Sequence, residues 1–442
     1  MLILISLFQI ILFAYINRIT IFSPLFIILF TSILIQYIAS PIFLIFTGDQ
    51  RPELMMQEYS YLLTVINVVI FFWFLGFTLV SNKEKFKFFA FNEQSKANNL
   101  NRIRFALFCL VCGMLFYILI FIYTGYGFIE ALLNPLQFRF DIISLTGGYY
   151  LRNLSIWLIN LSVISLLIFY FRDFKDSLFK KFLFILISIF LVIILLPFGQ
   201  RSIVFIPFIA IIFILYNDKL ISNLTLLLGL SVGFFLLAFL GIYRTIAFFG
   251  VSDLGSIYYI LLQFQSFEFV DFIIEIIKRF DNLTWLNLYL GQESYFSGSR
   301  SFLESFKQLF LILVPPSILG GIEKQIDYDT FLTIYFLGSQ DFGSFGFTPI
   351  AEWSMNLGKI GFIIMPFISG VLMSLICNAI RNIKNNMFCL IMFSSLIFLQ
   401  MVFISIHSYG TAEVIVFLVF NIGIYICYKI FFDDMNQRVF NS

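Results

Sequence analysis

The chain has 442 residues, of which 61% are hydrophobic and only 12% are charged, and its mean hydropathy is +0.99. This composition excludes an ordinary soluble globular protein and predicts an integral membrane protein. The formal net charge is only +2 and is spread along the chain without a dense basic face, which excludes a nucleic-acid partner.

Long apolar segments follow one another from the first residue onward. A bilayer core requires about 20 apolar residues in a helix, and lipid forces the backbone polar groups to be satisfied within the segment. We therefore predict an all-α polytopic membrane protein with about eleven transmembrane helices. The first segment lacks a basic n-region and a cleavage site, so we interpret it as a retained span. The predicted spans are residues 1–16, 21–46, 60–81, 105–124, 154–171, 182–198, 203–216, 220–243, 357–378, 387–405 and 412–431.

The distribution of Lys and Arg predicts the orientation of these helices. With the N-terminus outside, the basic clusters at 83–104 and 172–181 become cytoplasmic, as the positive-inside rule requires. Two regions then face outward, a smaller external loop over residues 125–153 and a large external loop over residues 244–356. Because no internal repeat is visible, we predict a single transmembrane domain over residues 1–442.

The large external loop contains two unusual helical segments. The first, "SIYYILLQFQSFEFVDFIIEIIKRF", places acidic side chains that include Asp271 at helical spacing, which predicts an amphipathic helix. This stripe is either the water-facing side of the helix or the source of a general base. The second, "FLESFKQLFLILVPPSILGG", is halted by Pro315 and Pro316 and predicts an interfacial or re-entrant helix. Together we expect the two segments to form a lid over an outward cavity.

Arginine recurs at the predicted outer ends of helices. An arginine at membrane depth is unfavourable unless it reaches the interface or meets an anion, and a guanidinium binds phosphate oxygens in bidentate geometry. We expect Arg201, in the turn "FGQRS" between two short spans, to bind phosphate. For Arg244 and Arg300 an anion-binding role and an ordinary interfacial role both stay open. Three further arginines are interpreted as loop or headgroup-facing charges, namely Arg51, Arg139 and Arg152.

Two polar positions adjoin the last spans. Glu352, in "FTPIAEWSMNLGKIG", precedes an apolar run of membrane-crossing length. A carboxylate there either caps the N-terminal turn of the helix or acts as a general base, and both interpretations stay open. His407, the only histidine, occupies a predicted outer turn and is either structural or functional. Since the sequence contains no Walker A or HExxH motif, and its five cysteines all fall inside apolar segments, we predict no cofactor, no metal and no nucleotide.

The order of these parts resembles the O-antigen polymerases, the Wzy class of oligosaccharide repeat-unit polymerases. The matching pieces are "FGQRS" opening a helix, "LVPPSILGG" in the long outer loop, and "FTPIAEWSMNLGKIGFIIMPFISG" entering a span. The last is the most specific. The resemblance covers residues 197–413 in layout, and the earlier spans match only in hydropathy.

The resemblance implies a fold similar to the GT-C-type lipid-linked-sugar glycosyltransferases, in the bacterial cytoplasmic (inner) membrane. A glycan on undecaprenyl pyrophosphate would be transferred at the outer face onto a new lipid-linked repeat unit, giving O-antigen or a related surface polysaccharide. The implied partners are the lipid-linked donor and acceptor, the lipid bilayer, and a chain-length regulator. The catalytic candidates are then Glu352, His407 and Asp271, and the candidate pyrophosphate contacts are Arg201, Arg244 and Arg300.

The alternative function is a flippase for the same lipid-linked oligosaccharide, which would also place arginines in an outward cavity. Transporters usually contain paired repeats with discontinuous helices in matching halves. No such halves are visible in this sequence, and the predicted lid occurs once, which favours the enzyme.

Overall fold

The structure is a computed structural model that describes residues 1–19, 56–81, 97–145, 148–173, 193–198, 221–233, 349–382 and 408–433, with single positions between these ranges. Every regular element in these ranges is helical. Among the described residues, three helices are long and apolar enough to cross a membrane, namely Ser60–Val80, Asn101–Thr124 and Ile350–Leu375. Four further helices there are shorter and apolar, namely Leu2–Ile16, Tyr150–Leu166, Asn223–Gly233 and Leu418–Phe432. The prediction of an all-α membrane protein is therefore confirmed for this part of the chain, whereas the number of eleven spans stays a prediction.

The helices belong to two compact units, which alternate along the sequence. The first unit contains Met1–Phe88, Ile276–Asn382 and Leu399–Phe417, and the second contains Phe89–Glu275, Ile383–Phe398 and Leu418–Ser442. The helices are α1 (Leu2–Ile16), α2 (Met56–Val80), α3 (Ala97–Thr124), α4 (Phe128–Leu133), α5 (Pro135–Ser144), α6 (Gly148–Asp173), α7 (Asn223–Gly233), α8 (Pro349–Leu357), α9 (Gly361–Asn382) and α10 (Ser408–Tyr428). Two 3-10 turns are Leu196–Phe198 and Gly358–Ile360, and a π turn, Lys429–Asp433, follows α10.

In the first unit, α2 and α9 approach each other closely at two glycines. A Cβ atom on Gly76 would collide with the carbonyl oxygen of Phe367, and one on Gly370 would collide with that of Trp73. At the same crossing, Trp73 Nε1 donates a hydrogen bond to Ser369 Oγ at 3.1 Å. Small residues at a helix interface let the backbones come close, which is how helices associate in a membrane.

Polar side chains hold α1 beside α2. Ser6 Oγ donates to Asn67 Oδ1 at 2.9 Å, and Asn17 Nδ2 donates to Thr78 Oγ1 at 3.0 Å. The two partners are 61 residues apart in both pairs, so α1 and α2 run parallel. A buried amide paired in this way avoids the free-energy penalty of an unsatisfied polar group.

The direction of α9 is given by two contacts with α2. Trp73 contacts Ser369, and further along both helices Asn378 Nδ2 donates to the Val80 carbonyl oxygen at 2.9 Å. The helices therefore run parallel, and α1, α2 and α9 all begin on the same side of the unit. The predicted topology requires this relation, because it directs all three helices from outside to inside.

In the second unit, α6 is enclosed by other parts of the chain. All residues from 155 to 165 are buried, and a helix that is buried all round is typical of a core position. One neighbour is α3, which approaches at Gly113. Ser155 Oγ donates to the Gly113 carbonyl oxygen at 2.9 Å, and a Cβ atom on Gly113 would lie 2.8 Å from the Ile159 side chain.

An aromatic cluster joins α5 and the Leu196–Phe198 turn to the end of α3. The ring centroids of Phe121 and Phe138 are 4.9 Å apart, and those of Tyr117 and Phe198 are 5.4 Å apart. The Tyr117 hydroxyl donates to the Ile194 carbonyl oxygen at 2.7 Å. Phe138 and Phe198 are fully buried, so this end of the unit is well packed.

The opposite end of α3 meets the π turn. Asn101 Nδ2 donates to the Phe432 carbonyl oxygen at 2.7 Å, and the rings of Phe105 and Tyr428 lie 5.1 Å apart, edge to face. The amide therefore satisfies a carbonyl group at a helix end, where backbone acceptors lack intrahelical partners.

Asp141 on α5 ties this helix to the residue Tyr126 just after α3. The Tyr126 hydroxyl donates to Asp141 Oδ2 at 2.6 Å, and Gln137 Nε2 donates to Asp141 Oδ1 at 3.1 Å. The hydrogen bond to Asp141 raises the pKa of Tyr126 to about 12, and burial and the nearby carboxylates act in the same direction.

We expect Gly370→Ala to lower the stability of the protein, because the new methyl group would push α9 away from α2. Overpacking of this kind reduces the free energy of unfolding by about 1–3 kcal/mol. Thermal unfolding in detergent measures the effect. Gly423→Ala on α10 is the matched control, since a Cβ atom there meets open space. Equal melting temperatures for both variants would contradict the close crossing.

We expect Asp141→Ala to return the pKa of Tyr126 towards the ordinary value of about 10. The pKa of Tyr126 is raised in the folded protein, so the stabilisation from its hydrogen bond is present below the ordinary pKa and disappears as the pH rises through about 12. NMR titration of ring-labelled tyrosine, with Tyr126→Phe to assign the signal, measures the pKa. In the control Gln137→Ala, which keeps the Tyr126 contact, the pKa should stay high, and a lowered value there would refute the assignment to Asp141.

Candidate functional site

The structure describes one of the six predicted site residues, Glu352. The other five lie outside the described residues, as do the predicted amphipathic and re-entrant segments of the large external loop, so their roles stay predictions. These five residues are Asp271, His407, Arg201, Arg244 and Arg300.

Glu352 lies in the first turn of α8, a helix of nine residues that precedes α9. The sequence predicted a span beginning at residue 357. The structure instead joins α8 to α9 through the Gly358–Ile360 turn, and the candidate span begins at Ile350. Glu352 therefore lies inside the start of this span. A carboxylate in a first turn interacts favourably with the positive end of the helix dipole, so the capping and the catalytic interpretations both stay open.

The short helix α8 is enclosed by protein. Residues 350–355 are all buried, and Glu352 is only 6% exposed. Trp353 has the largest side chain among the fully buried residues described. Carboxylates are rarely buried to this extent unless other groups compensate their charge. The side chain of Glu352 is thus held in a largely dry environment, where its chemistry depends on its neighbours.

Two glycines form the elbow between α8 and α9. Gly358 has a φ of 63°, a left-handed conformation that glycine adopts without strain. A Cβ atom on Gly361 would collide with the carbonyl oxygen of Trp353, so only glycine lets the two helices approach this closely. The glycines of the "NLGKIG" stretch are therefore structural, and they determine where α8 holds Glu352.

Arg152 is a second buried charge, and its interpretation from the sequence was wrong. It was expected to face lipid headgroups from a loop, but it lies in the second turn of α6 and is only 1% exposed. A buried arginine in an apolar helix is a hypothesis for a functional position, and Arg102 of α3 is buried as well, at 5% exposed. The guanidinium can bind a carboxylate or a phosphate in bidentate geometry.

The start of α6 explains why Arg152 is buried. The predicted span began at residue 154, whereas α6 begins at Gly148, whose amide donates to the Leu145 carbonyl oxygen at 2.9 Å. A Cβ atom on Gly148 would collide with the Ile142 carbonyl oxygen, so the glycine lets α5 and α6 meet. The sequence carried one signal for this position, because Arg152 lies four residues before Ile156 of the apolar run and therefore on the same face of a helix.

Metal binding has no support in the described ranges. They contain no group of three or more His, Cys, Asp or Glu side chains that could hold a metal ion. The predicted metal-independent chemistry stays a prediction. Within these ranges the buried charged side chains are Glu352 in the first unit, and Arg102 and Arg152 in the second unit.

We expect Gly358→Val to destabilise the elbow, because a β-branched residue at positive φ is strained by about 1–2 kcal/mol. Gly358→Asn is the matched variant, since asparagine tolerates the left-handed conformation better than other side chains. The melting temperatures of both variants in detergent, and the emission of the buried Trp353 compared with a Trp353→Phe baseline, report the change. If the valine and asparagine variants have equal melting temperatures and equal Trp353 emission, the left-handed backbone conformation at Gly358 does not determine the position of α8.

Comparison of the chain with protein-family models, with curated proteins and with solved structures gives no match in any of the three. The function of the site has to be inferred from the chemistry of its residues. Buried ionisable side chains in membrane helices are the strongest pointer to function that the described structure offers.

Proposed function

We propose that this protein is a polysaccharide polymerase of the bacterial cytoplasmic membrane, with a fold of the GT-C type. It would transfer a growing glycan from undecaprenyl pyrophosphate onto a lipid-linked repeat unit at the outer face, making O-antigen or a related surface polysaccharide. The observation that carries the proposal is the burial of Glu352 at the start of a candidate span, in a helix enclosed by protein. The resemblance to the O-antigen polymerases includes this same stretch.

Glycosyl transfer requires a group that accepts a proton. In the proposed step, a hydroxyl oxygen of the acceptor sugar forms a bond to the anomeric carbon of the donor, and the bond from that carbon to the pyrophosphate oxygen breaks. Glu352 takes the hydroxyl proton as a general base. Undecaprenyl pyrophosphate leaves with the electron pair of the broken bond, so the step needs no further reactant.

The departing pyrophosphate gains negative charge, which cationic side chains stabilise most strongly in the transition state. We assign this role to Arg201, Arg244 and Arg300. Asp271 and His407 remain further candidates for proton transfer.

The two compact units do not favour the flippase. In many transporters each half of the fold comes from one continuous half of the sequence, as in parallel or inverted repeats. Here each unit is assembled from three separate ranges. The flippase is therefore the alternative function that the following test can distinguish from the polymerase.

The test is reconstitution of the purified protein in liposomes with a lipid-linked repeat unit, in EDTA and without nucleotide. We expect a ladder of longer glycans from the wild type. Glu352→Gln should lower the rate at least about 100-fold, because the amide cannot accept the proton and general base catalysis contributes that much or more.

The control variant is Glu130→Gln, which changes an exposed glutamate on α4 and should leave the ladder unchanged. The amount of folded protein in the liposomes is measured for each variant. Full activity of Glu352→Gln would show that Glu352 is not the general base. Translocation of the repeat unit across the liposome without any ladder would identify the flippase.

A further inference from the structure

We propose that α4 and α5 lie in the outer lipid–water interface of the membrane, with Phe128 and Ile129 in contact with the acyl chains of phospholipids. The sequence placed both helices in the smaller external loop. The proposal concerns the membrane-facing surface and is independent of the proposed function.

The position of the two helices is fixed by their packing on α3. Phe138 of α5 lies 4.9 Å from Phe121 of α3 between ring centroids, and Phe128 of α4 lies 6.3 Å from the same ring. Ala131, Phe138 and Ile142 are fully buried. The pair is therefore attached to the end of α3, at the depth where this candidate span leaves the membrane.

The exposed surface of α4 continues the exposed surface of α3. Ile122 near the end of α3 is 69% exposed, Ile129 on α4 is 66% exposed, and Phe128 between them is 39% exposed. On a candidate span, exposed apolar side chains such as Leu115 and Ile122 face lipid. The ring of Phe128 contacts that of Phe121 on α3 and so joins the exposed apolar side chains of α4 to those of α3, while the exposed Glu130 lies beside them. Lipid is the partner that this surface fits.

The polar groups of this segment suit an interface. Asp141 is the only acidic residue of α5, and each of its carboxylate oxygens accepts a hydrogen bond, from Tyr126 and from Gln137. A carboxylate with such partners needs fewer water molecules. Tyrosines are enriched where membrane meets water, since the ring is apolar and the hydroxyl is polar. Tyr123 and Tyr126 occupy this position, just before α4.

A cationic side chain, Arg139, also favours the placement of α5 in the lipid–water interface. Arg139 is partly exposed on α5, next to Phe140, whose ring is also exposed. A long cationic side chain beside apolar surface can extend its charge to lipid phosphates while its methylene groups stay in apolar contact. A helix that carries aromatic and cationic side chains on its surface can lie in the plane of the interface.

The test places a fluorophore on the proposed lipid contact. Ile129→Trp in the full chain is reconstituted in phosphatidylcholine liposomes whose acyl chains carry bromine either near the headgroup or near the chain end. The emission of the wild type, which has four native tryptophans, is subtracted from the emission of each variant. Leu115→Trp, in the middle of α3, is the lipid-facing control, and the melting temperature of each variant verifies that it is folded.

We expect the added emission of Ile129→Trp to be lost mainly to bromine near the headgroup, and that of Leu115→Trp mainly to bromine near the chain end. Iodide added to the water should quench neither strongly. Quenching of Ile129→Trp by iodide and not by brominated lipid would overturn the proposal, because the side chain would face water. Quenching by neither agent would also overturn it, since protein would then cover the site.

Discussion

Close contact between helix backbones is the constraint on which the described structure depends. Lipid provides no hydrophobic force that drives one helix against another, so packing and hydrogen bonds must hold helices together. Glycine stands at three of the close approaches described, with Gly113 between α3 and α6, Gly370 between α9 and α2, and Gly361 between α9 and α8. In a chain with 63 phenylalanines, these small residues determine where helices can meet, and aromatic rings fill the space around the contacts.

Close backbone contact also determines the geometry of the candidate functional site. Glu352 has its position because the backbone of α8 rests against Gly361, and Gly358 supplies the left-handed turn that this contact needs. A group held by backbone contacts between helices is better oriented than one on a free loop. The most specific sequence motif of the chain thus combines one chemical group with the glycines that place it.

The sequence predicted the helical membrane class well, because apolar length is sufficient evidence for a helix in lipid. It also drew attention to Glu352, because a carboxylate is conspicuous beside an apolar run, and the structure shows that this residue is buried, while its role stays a prediction. It misplaced Arg152, because the apolar run begins at residue 154 and the polar first turns of α6 were assigned to a loop. The pairing of α2 with α9 could not be predicted either, since Trp73 and Ser369 are 296 residues apart and hydropathy carries no information about partners.

The parallel arrangement of α1, α2 and α9 has an electrostatic consequence. Peptide dipoles add along a helix to roughly half a positive charge at its N-terminus and half a negative charge at its C-terminus. In the predicted topology the three positive ends point outward, and the three negative ends point to the cytoplasmic side, where lysine and arginine are concentrated. In that topology the backbones of these three helices would be polarised across the membrane. They would favour anions on the outer side and complement the basic residues on the inner side, whichever side chains the helices carry.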